Sequence, residues 1–462
     1  MPSTSSGKFV GLLAVAWLMF VAAVFLPDIG RGFVRDDFSW VEAGRDAWTA
    51  PATLVHPRTQ GFYRPLVTAT FALDYAVHGD DPRGYGVTNL YLYAACAAAL
   101  WVVARRLGLS IEAATLASFV WAINPHGINM ALVWISGRTA LCVTLAALLA
   151  AAAVLRRRYL WTAIWLSAAL MSKEEAILLP FVLWFWDRGL AGRASDEPHG
   201  RRRRLIVALA APAIGYLIVR TAAGAFTPFS APPFYQFAFS PILVARNALE
   251  YLDRGATASA IAVLLAWAVS RPRIALDDRD RRLLGAAAAW FAAGYALTVF
   301  LPIRSSLYAV LPSVGAALAA ATLVDRFDRD ARPSAPSWRV AAALASALLL
   351  LVPTYRARNT RWVEPARLSA RALGAIHAGV SAEPADGVIV LHDETIDPAS
   401  SFGSAFGTFA TNAVRLRTGR RFDVWIEPPP ADWRLAGIAP PEDRAVLARF
   451  AIHRGAVTRV GP

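Results

Sequence analysis

The stretch FVGLLAVAWLMFVAAVFLPDIGRGFVRDDFSW, residues 9–40, begins with an unbroken apolar run from Phe9 to Leu26 and ends on two adjacent carboxylates, Asp36 and Asp37. A run of that length crosses a bilayer as a helix. Lys8 precedes it and no small-x-small cleavage pattern follows PDIG, so it reads as a retained anchor rather than a removed signal peptide. The rest of the 462-residue chain repeats the theme: 56% of residues are hydrophobic and 17% charged, too apolar for an ordinary soluble protein. The net charge of +14 is nearly all arginine, gathered in clusters between apolar runs. That pattern carries topology signals and argues against nucleic-acid binding. Cys96 and Cys142 both lie inside apolar runs, which leaves neither a disulfide framework nor a thiolate metal site.

Measured against about twenty apolar residues per crossing, the sequence predicts about eleven spans, near 9–26, 86–104, 111–124, 138–155, 159–171, 175–187, 205–220, 256–270, 283–301, 306–324 and 339–353. Arginine collects in every second gap: Arg105-Arg106, RRRY at 156–159, the segment from Asp187 through RRRR at 201–204, RPRIALDDRDRR at 271–282, and DRFDRDARPSAPSWR at 325–339. By the positive-inside rule these gaps and the N-terminus face the cytoplasm, and an odd number of spans puts the C-terminal end outside. The expected fold is therefore an all-α polytopic membrane protein, residues 1–353, followed by a small extracytoplasmic α/β domain, residues 354–462. Within the latter, GVIVLHD (387–393) and FDVWIE (422–427) read as buried strands, and 364–379 and 441–450 as helices. The long outer segments are the first loop, 27–85, and a Pro- and aromatic-rich segment containing FTPFSAPPFYQFAF, 226–239.

Charged residues outside the arginine-rich gaps gather at the outer rim. They are Asp36 and Asp37 after span one; His126 between spans three and four; Arg138 at the start of span four; Lys173, Glu174 and Glu175 between spans five and six; and Arg304 after span nine. Charge at the edge of a membrane protein is costly and usually serves a cavity. Taken singly, each has a plainer reading. Arg138 and Arg304 can snorkel to headgroups, Lys173 can pair with a neighbouring Glu, and the Asp pair can cap a helix starting near Phe38. Taken together, such a rim suits sugar transfer from a lipid phosphate. A carboxylate takes the acceptor's proton, and cations neutralise the departing phosphate, a role that falls to Arg138, Lys173 and Arg304.

Five segments in series resemble the GT-C superfamily of polytopic glycosyltransferases, in particular its protein O-mannosyltransferase-like branch. They are the DD after span one, GFYRPLVTATFALDYAVHG (61–79) leading into YGVTNLYLYA (85–94), NPHGINMALVWISGR (124–138), LSAALMSKEEAILLPFVLWFWD (166–187) and RSSLYAVLPSVG (304–315). The resemblance covers residues 1 to about 330. It implies a polyprenyl-phosphate monosaccharide donor, inversion at the anomeric carbon, and a protein, glycan or lipid acceptor. Asp36 is then the favoured catalytic base and Asp37 the second choice, the alternatives for Asp37 being to orient the acceptor, to bind a divalent cation, or to pair with Arg35 or Arg64. Arg64, His126, Arg138, Lys173, Glu174, Arg304 and Tyr308 are the expected substrate-binding residues. The second outer loop departs from the family pattern, reading Asn124-Pro125-His126 and Asn129-Met130 where relatives carry His and Glu, and no tetratricopeptide repeats follow the last span. Alanine- and arginine-rich composition points to a GC-rich bacterial genome, hence a cytoplasmic membrane with the site on its periplasmic side. A transporter or lipid flippase is the rival class. Against it, no inverted repeat is visible and the charges lie at the rim rather than the midplane.

Overall fold

The computed structural model describes residues 4–56, 61–190, 199–272, 275–330, 338–381, 386–396, 404–435, 437–440, 444–453 and 455–461. The first helix, α1 (Thr4–Val24), leads into two short helices of the first loop, α2 (Asp37–Thr49) and α3 (Pro65–His78). Then come α4 (Pro82–Arg106), α5 (Ile111–Ala122), the one-loop helix α6 (Gly127–Val133), α7 (Arg138–Leu155), α8 (Tyr159–Leu170) and α9 (Leu179–Leu190). The remaining long helices are α10 (His199–Ala222), α11 (Pro241–Ser270), α12 (Asp278–Tyr295), α13 (Ser313–Asp330) and α14 (Trp338–Gly379). All eleven segments expected to span are helical over most of their length, with turns or 3-10 stretches at 175–178, 296–301 and 306–312. Among the described residues seven helices are long and apolar enough to cross a membrane, while α5 and α8 are shorter apolar helices. Leu217 and Ile218 on α10 and Leu249 and Leu264 on α11 remain exposed, as lipid-facing side chains do. Of the arginine-rich gaps, 191–198, 273–274 and 331–337 lie outside the described residues.

Local chemistry fixes the helix ends. The Ser110 hydroxyl accepts from the Ala113 N–H at the start of α5, and Asp277 and Asp280 cap α12 reciprocally. The last expected span and the helix expected at 364–379 are a single 42-residue helix that passes through Pro353 and Pro365. Its first half packs on α1, and its second half carries the C-terminal sheet region.

That region holds β1 (Asp386–Asp393), α15 (Ala410–Thr418), β2 (Arg421–Glu427), the short α16 (Ala431–Leu435), β3 (Val446–His453) and β4 (Ala456–Gly461). The sheet order is β2-β1-β3-β4, with β1 parallel to both neighbours and β3–β4 antiparallel. The expected strands are both present. The helix expected at 441–450 is corrected: residues 441–443 lie outside the described residues, and from Val446 the chain is a strand. The reason is a period of two, with Ala448, Phe450 and Ile452 buried on one face.

The sheet region and the first loop share one apolar core, which includes Phe33, Phe38, Trp40, Phe71, Ile389, Phe406 and Phe450. One face of α2 meets α3, where Trp40 stacks on Phe71 at 5.7 Å. Gly44 is required there, because a Cβ would stand 2.7 Å from the Phe71 backbone. The other face meets the sheet region: the Ala405 carbonyl accepts from the Arg35 N–H at 3.0 Å, Phe38 stacks on Phe406 at 5.9 Å, and buried Glu42 accepts from Asn412 at 2.6 Å and from Arg415. Glu42→Ala removes both bonds to its carboxylate at this interface and is expected to cost about 1–3 kcal/mol. The check is limited proteolysis and melting of the full chain. An unchanged cleavage pattern and melting temperature would show that apolar contact alone holds the region.

Candidate functional site

The two aspartates of the opening stretch divide their labour. Asp37 is buried and tied down: its Oδ2 accepts from the Val34 N–H at 2.9 Å, and its Oδ1 from the Ser136 N–H at 2.7 Å and hydroxyl at 2.5 Å. It therefore fixes the first loop to the turn before α7 and pairs with neither Arg35 nor Arg64. Asp36 stands at the N-cap of α2 yet makes no side-chain cap bond, so the plain capping reading fails for it. Its Oδ1 is buried with no hydrogen-bond partner among the described residues. Burial raises the Asp36 carboxyl above its ordinary range, and the neighbouring Asp37 charge raises it further; Ser136, Arg64 and Arg35 pull it partly back. Such an environment belongs to a proton acceptor, not to a solvated loop acid.

Arg64, at the entry to α3, lies over the Phe62 ring at 4.2 Å and donates through Nε and Nη2 to Glu174 Oε2 at 3.2 and 2.9 Å. Arg220, in the last turn of α10, donates to the other Glu174 oxygen at 3.1 Å. Burial alone would raise the Glu174 carboxyl, but the two guanidiniums outweigh it and hold it below the usual range. Lys173 Nζ stands 2.6 Å from Glu175 Oε1 and 5.0 Å from the centre of the Tyr308 ring. Tyr235, from the aromatic loop before α11, packs edge-on to Phe62 at 5.1 Å and lies within electrostatic reach of Asp36, Arg64 and Glu174. The first loop, the α8–α9 turn, the end of α10, the α10–α11 loop and the segment before α13 thus converge at one end of the bundle. Three cations (Arg64, Lys173, Arg220) face two acids (Glu174, Glu175) beside the Asp36 carboxylate.

Of the residues singled out in the sequence, Asp36, Asp37, Arg64, Lys173, Glu174 and Tyr308 come together here. Three do not. Arg138 is fully buried between α3 and α4, with Nη2 on Asp74 Oδ2 at 2.5 Å and the Tyr85 carbonyl at 3.1 Å, Nε on Asn89 Oδ1 at 2.9 Å, and its guanidinium over the Phe71 ring at 4.4 Å. Its expected role on a donor phosphate is corrected, because its donors are occupied within the fold. Arg304, expected on the donor phosphate, pairs with Glu250, which also holds Arg254 at 3.2 Å. His126 contacts Arg358 at 2.9 Å through Nδ1 and lies 3.9 Å from Asp253, and burial, then the Arg358 charge, lower its imidazole to about 4. Asn124, at the departure from the family pattern, is a turn residue whose Oδ1 accepts from the N–H groups of His126 and Gly127.

Sequence reasoning missed Ser136, Arg220 and Tyr235. Arg220 carried the same signal as Arg304, a cation at the end of a span. Ser136 sat inside a quoted motif but is uncharged, and nothing local marks it as the partner of an acid 99 residues earlier. Among the described residues no group of three or more His, Cys, Asp or Glu side chains could hold a metal ion.

No family model matches the chain. It is 30% identical over 201 residues to the protein O-mannosyl-transferase Tmtc1 of Drosophila melanogaster, covering 38% of this chain and 23% of that protein. It is 28% identical over 218 residues to Tmtc2 of the same organism, covering 41% of this chain and 23% of that protein. The chain thus spans about a quarter of the length of these relatives. A crystal structure of ArnT from Cupriavidus metallidurans, bound to undecaprenyl phosphate, superposes with a TM-score of 0.54 over 96% of this chain and 93% of that one, at 15% identity. With its helical bundle, folded first loop and C-terminal sheet region, the chain is a polytopic membrane protein that shares the fold of that ArnT structure.

Proposed function

We propose that the protein transfers a monosaccharide from a polyprenyl-phosphate donor to a protein, glycan or lipid acceptor at the end of the bundle that carries Asp36. The observation that carries this reading is a buried carboxylate oxygen with no hydrogen-bond partner among the described residues, beside a cation-rich cluster at the rim of a lipid-facing bundle. The acceptor oxygen or nitrogen bonds to the anomeric carbon as the bond from that carbon to the phosphate oxygen breaks. The acceptor proton goes to Asp36, and the phosphate, still esterified to the polyprenyl chain, leaves with the bonding electrons on its oxygen. A single displacement of this kind inverts the anomeric centre. Arg64 and Lys173 neutralise the departing phosphate, Tyr308 and Tyr235 bound it, and Asp37 holds the loop that aims Asp36. Sequence similarity to protein O-mannosyl-transferases and the shared fold with a protein bound to undecaprenyl phosphate support this donor class.

The test is to offer purified protein a panel of polyprenyl-phosphate hexoses, with membranes from a deletion strain as acceptor source, and to measure free polyprenyl phosphate. Formation from at least one donor is expected, and formation from none contradicts the reading. Arg64→Gln is expected to raise the donor concentration for half-maximal rate about tenfold, whereas an unchanged value would remove Arg64 from the phosphate site. We place the protein in the cytoplasmic membrane with the N-terminus inside and the site outside. A reporter active only outside the cytoplasm should then work after Pro462 and fail near Arg202; the reverse result inverts this topology.

A further inference from the structure

At the other end of the bundle, the ends of α4, α7 and α9 and the start of α12 enclose a cleft of about 260 Å³. Four arginines line it, Arg106, Arg157, Arg279 and Arg282, against one acid, Asp187. The acid is already engaged, with the Tyr159 hydroxyl at 3.4 Å and Arg201 at 3.9 Å. Arg279 turns one nitrogen to the Gly108 carbonyl at 2.5 Å, and the Arg106 Nε is buried with no partner among the described residues. Arg157 and Arg282 make no side-chain hydrogen bond or ion pair among the described residues. Arg157 also holds a left-handed backbone, φ 59°, that residues with a Cβ seldom adopt. Leu107, Leu155, Leu190 and Trp186 complete the wall with apolar surface.

We infer that this cleft is a second anion site, separate from the Asp36 cluster, that binds a phosphate group, carried on an anionic lipid or free in solution. Arginine forks match phosphate oxygens in pairs. Basic pockets between spans are where anionic headgroups settle, and the apolar wall provides a surface for the first carbons of an acyl chain. The inference is independent of glycosyl transfer.

The experiment is native mass spectrometry of the full chain in detergent, titrated with dioleoyl phosphatidylglycerol, dioleoyl phosphatidylcholine or sodium phosphate. Removing two of the cations by Arg157→Gln with Arg282→Gln should weaken phosphatidylglycerol binding roughly thirtyfold and leave phosphatidylcholine unchanged. The paired Lys variant should retain most of the affinity, which separates charge from fold. If sodium phosphate, and not the lipid, distinguishes wild type from the Gln variant, the ligand is free phosphate and the site stands. Equal binding of both probes by wild type and the Gln variant would overturn it, as would a Lys variant as weak as the Gln variant.

Discussion

Asp36→Asn is expected to slow transfer by about 10² to 10⁴, the range for a lost general base, while raising the melting temperature at neutral pH. Both effects come from one environment. Burial and the Asp37 charge raise the folded-state carboxyl above its ordinary 3.8, so the fold favours the protonated form. Below 3.8 the group is protonated whether folded or not and costs nothing. Between 3.8 and the raised folded value the unfolded chain ionises while the fold still holds its proton, so stability falls across that window, and the full cost is present above the folded value. Asn carries no such charge, so the variant should melt higher at neutral pH and not at low pH. Transfer needs the ionised form, so the wild-type rate should fall on acidification at a higher pH than an ordinary carboxylate would give. Loss of activity with a lowered melting temperature would point to collapse of the loop instead. Near-normal transfer would remove Asp36 from the chemistry.

Arg138→Leu is expected to act on folding rather than on donor use. The substitution leaves Asp74 buried without its cation, together with the freed Asn89 Oδ1 and the Tyr85 carbonyl. Breaking a buried pair on one side costs about 3–5 kcal/mol, enough to deplete folded protein from the membrane. Asp74→Leu added to Arg138→Leu should recover part of that loss, since the stranded charge is gone. Melting curves of the single and double variants measure this directly. A single variant that melts like wild type yet binds donor poorly would restore Arg138 to the phosphate site.

The architecture was legible where a single local signal sufficed. Apolar runs and arginine clusters located the seven helices that are long and apolar enough to span and the two shorter apolar ones among the described residues, because bilayer thickness and charge asymmetry act on short stretches of chain. The long α14 was read as two elements because the apolar run ends at 353 and the composition beyond it is that of a soluble domain; the helix nevertheless continues through Pro353 and Pro365, packed on α1 and on the C-terminal sheet region. At the site, the sequence could name charged residues but not their partners. Arg138 and Arg64 look alike as rim cations, and only the fold reveals that Asp74 captures one within α3 while the other stands before Glu174 and Asp36. Asp36 and Asp37 are neighbours in sequence, and their difference is set by Ser136 and Val34, which occupy the Asp37 oxygens.

The most direct measurement of the central claim is the rate at which wild-type and Asp36→Asn protein, reconstituted in liposomes, release free polyprenyl phosphate from a polyprenyl-phosphate sugar in the presence of acceptor membranes, with donor binding measured in parallel. The account predicts release by the wild type, binding of the same donor by both, and release by the variant slower by about 10² to 10⁴. Equal release by the two proteins, or donor bound and consumed by neither, would contradict it.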